Sequence, residues 1–263
     1  MNYNYEVVVN ADDFGISSVT TEAIIKFIKE GYCDTTTVMV NMPGYLETFE
    51  LANKEGIVNN IGLHLNLSEG PAITNDMKNC RTFCNESGNF DFRYKKNLQK
   101  RFILNSKEKI IVSNEIEAQL KRYISLGYSG YFLDSHQGIH MDWSLYPIII
   151  NLFKKYKFKR IRRSPNLKSP SRNNNIKKII HMKYDRNIKI NDIYSPDYLG
   201  NIRDYRQNNH KISNGTLVEI MTHPSIKDDV EYIDVFSNFQ LDDYKSDLEQ
   251  LNHQKASFNN HGN

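Results

Sequence analysis

Short apolar runs recur along this chain, and several of them stop abruptly at acids or imidazoles. "EVVVN" (6–10) runs into Ala11 and then Asp12 and Asp13. "IGLHLNL" (61–67) carries His64, "YFLDS" delivers Asp134 and then His136, and "VEIMT" delivers His223. The runs are rich in β-branched residues and read as buried strands. Between them lie stretches of helical period. "SSVTTEAIIKFIKEG" (17–31) has Ser17 or Ser18 as cap, one apolar face of Ala23, Ile24, Phe27 and Ile28, and Gly31 as its stop. "NEIEAQLKRYISLG" (114–127) predicts a helix capped by Asn114, with Glu117 three residues on. "WSLYPIIINLFKKY" (143–156) predicts another, with Pro147 in its first turn, and "DDYKSDLEQLNHQ" (242–254) a closing one. Such strand–helix alternation predicts an α/β fold: a parallel sheet with crossover helices. Size and unit count favour a distorted or incomplete (β/α) barrel over an open sheet. The 263 residues read as a single domain with a long loop insertion around 68–112.

In parallel α/β architectures, active sites form at the C-terminal ends of the strands. The polar run-ends therefore converge on one mouth. Each has a plainer reading. Asp12-Asp13 can cap the following helix. His64 can be a hydrogen-bonded core histidine. His136 and His140, four apart, suit a metal only on a helix, and His223 can simply end a strand. Taken together they make a chemically sensible set. Two imidazoles and a carboxylate form a common catalytic metal site, and a second carboxylate beside it can act as general base. Adjacent Asp12 and Asp13 cannot both point the same way on an extended chain, so one ligand and one base is the natural division. The expected chemistry is metal-assisted hydrolysis of an amide or ester.

Bulk properties narrow the field. Formal net charge is only +3, which gives no argument for nucleic acid. No apolar run is long enough for a membrane span. Three cysteines (Cys33, Cys80, Cys84) and no signal-peptide pattern predict a reducing, cytoplasmic setting. The basic run "KKYKFKRIRR" (154–163) reads as a solvated helix end and strand edge; its alternative reading, contacts to an anionic substrate, keeps a metal-dependent phosphoesterase on a similar barrel open, beside a non-catalytic sugar-binding protein.

"VNADDFGIS" (9–17), "IGLHLNLSEGPA" (61–72), "LDSHQGIHM" (133–141) and "EIMTHPS" (219–225) resemble, in order and spacing, the YdjC-like family of ChbG-type carbohydrate deacetylases. That resemblance implies a distorted (β/α) barrel that removes N-acetyl groups from small sugars such as chitooligosaccharides, using a divalent metal, magnesium or zinc. It implies Asp13, His64 and His136 as metal ligands, Asp12 as general base and His223 as candidate general acid. His140 would line the site and Arg160 would reach the substrate. The implied partner is a small carbohydrate, with no nucleic acid or membrane, and a homodimer is left open. Loop aromatics Phe90, Phe92 and Tyr94 are candidates for stacking on a sugar ring. Gly138 stands where the family often has a third histidine, and Ser225 where it has glycine.

Overall fold

The computed structural model describes residues 5–167, 175–227, 231–235 and 239–240. The chain opens with β1 (Glu6–Phe14), α1 (Ser18–Lys29), β2 (Thr35–Val38), α2 (Tyr45–Lys54) and β3 (Ile61–Leu65). The insertion follows: β4 (Glu69–Pro71), α3 (Asn75–Lys78), β5 (Asn89–Asp91), α4 (Arg93–Lys96) and α5 (Leu98–Phe102). After it come α6 (Ser106–Leu126), β6 (Phe132–Ser135), a 3-10 segment (His136–Met141), α7 (Tyr146–Lys155), β7 (Arg160–Ile161) and α8 (Asn175–Ile190). The last described elements are β8 (Tyr198–Gly200), α9 (Ile202–Asn208), β9 (Leu217–Thr222), β10 (Pro224–Lys227), β11 (Glu231–Asp234) and β12 (Phe239–Gln240). The closing helix expected over 242–254 lies outside the described residues.

Seven strands form one sheet in the order β7-β6-β3-β2-β1-β9-β8, and every pairing is parallel. β1 lies near its middle. Val7, Val8, Val9 and Ala11 are all fully buried, as a strand covered on both faces requires. The sheet curls into an incomplete barrel. Among the described residues, its edges are joined by a parallel bridge, Arg160 to Tyr194, and by the N–H groups of Asn166 and Leu167, which both donate to the Leu199 carbonyl (3.1 Å).

Gly62 on β3 marks one of the close approaches between neighbouring strands. A Cβ there would stand 2.4 Å from the Phe132 ring and 2.6 Å from the Phe132 carbonyl oxygen. Gly62→Ala is expected to cost roughly 3 kcal/mol, because a backbone atom cannot yield as a side chain can. Urea unfolding checks this; a change within 0.5 kcal/mol (about the noise of a surface substitution) would contradict it.

α6 starts nine residues earlier than the Asn114 cap predicts. Its cap is Asn105, which accepts the Glu108 N–H (2.8 Å), while Glu108 accepts the Asn105 N–H (2.9 Å). This reciprocal pair satisfies two donors at once, and the buried Ile111 and Val112 extend the apolar face backwards. The insertion is not a loose loop. Glu115, fully buried on α6, accepts the N–H groups of Ile73 (2.9 Å) and Thr74 (2.8 Å) and the Thr74 hydroxyl (2.8 Å). Gln119 donates to the Asn66 carbonyl (2.7 Å) and accepts the Asn66 N–H (3.1 Å). These bonds hold the β4–β5 hairpin against the barrel mouth.

Candidate active site

The end of β1 departs from extended geometry. Its register with β2 shifts between Ala11 and Phe14, and Asp13 has a left-handed backbone, φ 71°. A bulge of this kind re-aims side chains. It overturns the expectation that Asp12 and Asp13 point opposite ways: both carboxylates reach the mouth. A non-glycine residue in this conformation is strained, and such strain clusters at functional sites.

Asp13 Oδ1 lies 3.0 Å from His64 Nε2 and 2.7 Å from His136 Nδ1. These three residues form one group whose donor atoms all lie within 4.8 Å of one another. Behind it, the parallel register sets His64 beside Asp134, and Asp134 Oδ1 accepts the His64 Nδ1–H (2.7 Å). A carboxylate on one ring nitrogen fixes the ring and leaves the other facing the mouth, the usual support of a metal-bound imidazole. Burial works against a charged His64, but Asp134 and Asp13 outweigh it and raise its pKa to about 10. Burial also raises Asp13, yet the bonds to His136 and His64 hold it far below the usual carboxylate range. An anionic Asp13 beside two imidazole nitrogens is a donor set that suits a divalent cation.

A second group, Asp12, His64 and Asp134, has equally close donor atoms. A cation already fills it. Arg162 donates from Nη1 to Asp12 Oδ2 (2.6 Å), from Nη2 to Asp12 Oδ1 (2.7 Å) and to Asp134 Oδ2 (2.8 Å), and from Nε to Glu219 Oε1 (2.5 Å). Asp12, Asp134, Glu219 and Arg162 are all buried. Burial pushes Asp12 up, but Arg162 more than reverses it, leaving its pKa at about 2. The guanidinium therefore stands where an ion would have to sit in this second group, and Asp13, His64 and His136 are the set that could hold one. His223 Nε2 stands 3.6 Å from Asp12 Oδ2. It is placed by Asp234, which accepts the His223 N–H (3.2 Å) and the Thr222 hydroxyl.

The sequence model of YdjC-like proteins matches residues 6–257. The chain belongs to the YdjC-like family. It is similar to carbohydrate deacetylases of Halalkalibacterium halodurans (35% identical over 57% of this chain and 61% of that one) and Vibrio cholerae serotype O1 strain 395 (33% over 57% and 56%). It thus spans little more than half the length of these relatives. A carbohydrate deacetylase of Clostridium beijerinckii is 30% identical over 84% of this chain and 82% of its own. The fold matches the crystal structure of a protein provisionally named for cellobiose-phosphate cleavage, from Enterococcus faecalis V583. That match has a TM-score of 0.70 and 23% identity, covering 99% of this chain and all of that one.

Within this YdjC-like site, Asp12, Asp13, His64, His136 and His223 come together, and two candidates stand apart. His140 lies behind Arg162 rather than in the open mouth. It is 1% exposed, accepts the Ser135 hydroxyl at Nδ1 (2.5 Å) and donates from Nε2 to the Arg162 carbonyl (3.2 Å). Burial, with Arg162 nearby, holds its pKa well below the ordinary histidine value, so it is a neutral prop for β7. Arg160 pairs with Phe132 at the far end of the strands and covers its ring at 4.3 Å. The arginine that reaches the mouth is Arg162, two residues on. Sequence reasoning missed it, although "RIRR" puts both side chains on one face. Glu69 was missed too. It comes from the insertion and sets Oε2 3.1 Å from His136 Nε2. Among the described residues, no helix is long and apolar enough to cross a membrane.

Proposed function

We propose that this chain hydrolyses the N-acetyl group of a small N-acetylated sugar or oligosaccharide, with Asp13, His64 and His136 holding a divalent metal, magnesium or zinc. The observation that carries this reading is the Asp13–His64–His136 donor set standing beside the Asp12–His223 pair at one strand-end mouth. A divalent cation held there supplies Lewis-acid polarisation of the acetyl carbonyl and a more acidic water. Asp12 takes the proton of the attacking water at Oδ2. Arg162 keeps that carboxylate ionised and oriented through two bonds. As the new C–O bond forms and the C–N bond breaks, His223 delivers a proton from Nε2 to the leaving nitrogen. The products are acetate and a free amine. A phosphoester reading gains nothing from charge here, because Arg162 is committed to three carboxylates.

Acetate release from N-acetylglucosamine oligomers tests the reading. Release is expected to vanish with a chelator and return when a divalent metal is added back. Release that ignores the chelator, or phosphate release from sugar phosphates without any acetate release, would contradict it.

A further inference from the structure

Of the aromatics on the insertion, Phe90 and Tyr94 are 3% and 1% exposed, and Tyr94 stacks on Phe83 at 4.6 Å. They belong to the core. Phe92, between them, is only half-buried, and its ring centroid lies 6.4 Å from that of His136. The hairpin pairs Glu69 with Asp91, so Phe92, the next residue along the chain, is fastened beside the residue that touches His136.

Two local rules are broken at this position. Phe92 has a left-handed backbone, φ 63°, which favours glycine or asparagine over a bulky aromatic. It also occupies the N-cap of α4, where Ser, Thr, Asp or Asn would bond the first turn, and it makes no side-chain cap bond. The conformation is held by the Phe92 N–H, which donates to the Ser68 carbonyl (2.7 Å). The left-handed turn has a geometric result. Along β5 and into α4 the residues at 90 and 94 point inward, and the turn frees the side chain at 92 from that register. Where sequence violates local preference at two levels, function is the common reason.

We infer that Phe92 is a specificity-determining residue: its ring is the platform on which the pyranose bearing the acetamide stacks. The axial C–H face of a pyranose is apolar and weakly positive, and complements the negative face of an aromatic ring. This inference rests on the deacetylase reading and adds to it the selection of a ring-closed sugar over an acyclic amide.

The test compares wild type, Phe92→Ala, Phe92→Trp and Phe92→Asn on an N-acetylglucosamine oligomer and on a small acyclic acetamide, with melting temperatures in parallel. Phe92→Ala is expected to raise KM for the sugar about tenfold, with kcat within twofold and the acyclic amide unaffected. Phe92→Trp is expected to keep the wild-type KM within threefold. Phe92→Asn is expected to lose sugar affinity like alanine while melting no lower than wild type, since asparagine accepts the left-handed turn. An unchanged sugar KM in Phe92→Ala would overturn the inference. So would a fall of more than about 5 °C in Phe92→Asn, which would make the ring a packing element. Wild type that releases no acetate from any sugar would instead overturn the deacetylase reading on which it stands.

Discussion

Asp13→Asn is expected to lower acetate release by roughly 10³-fold while the chain stays folded, because in the proposed site Asp13 would be the anionic ligand, carrying several kcal/mol of transition-state charge stabilisation. Asparagine is the informative replacement. It keeps the shape of the side chain and tolerates the left-handed backbone that Asp13 adopts at φ 71°. An alanine there would mix lost chemistry with strain. The reason for so large an effect is geometric: Asp13 Oδ1 lies within 3.0 Å of ring nitrogens of both His64 and His136. Steady-state kinetics on an N-acetylated sugar, with circular dichroism to check folding, measures it. Activity within tenfold of wild type would show that Asp13 is not the ligand the site depends on.

Arg162→Met is expected to be the most destabilising single change at the mouth. It strands three carboxylates, Asp12, Asp134 and Glu219, which are 4%, 2% and 3% exposed. Removing one partner of a buried ion pair typically costs about 3–5 kcal/mol, since the remaining charge has no water to turn to. For a chain of this size that corresponds to a drop of about 10 °C in Tm. Burial alone would lower the pKa of Arg162, yet the three carboxylates raise it well above the ordinary arginine value, so the group is always a cation. The same logic predicts a rescue. Adding Glu219→Gln to Arg162→Met removes one stranded charge and is expected to recover part of the lost stability, though not the activity. Thermal melts of the two single variants and the double decide it. Additive losses would show that Arg162 and Glu219 do not act as a unit.

The fold was legible because burial on both faces leaves a strong trace: β1, β3 and β6 are apolar runs that stop at chemistry. The convergence of Asp12, Asp13, His64, His136 and His223 followed from topology alone. What sequence could not give was register and local irregularity. Arg160 and Arg162 share a face, and only the pairing of Phe132 with Arg160 shows that Arg162 stands higher, toward Asp134. The bulge at Asp13 has no periodic trace, so strict alternation separated two carboxylates that the structure unites. Glu69 reaches His136 only because Glu115 and Gln119 pin the insertion, and those are long-range bonds. The start of α6 is a different case. "NSKE" (105–108) carries the capping-box pattern as plainly as "NEIE" (114–117), and the apolar face behind it decided between them.

The proposed activity requires one cation shared by Asp13, His64 and His136, in preference to the neighbouring Asp12–His64–Asp134 group that Arg162 occupies. Anomalous diffraction from crystals grown with zinc or manganese addresses this directly. The predicted result is a single strong peak at ligand distance, about 2.0–2.3 Å, from Asp13, His64 and His136. A peak between Asp12 and Asp134 with Arg162 displaced, or none near Asp13, would contradict it.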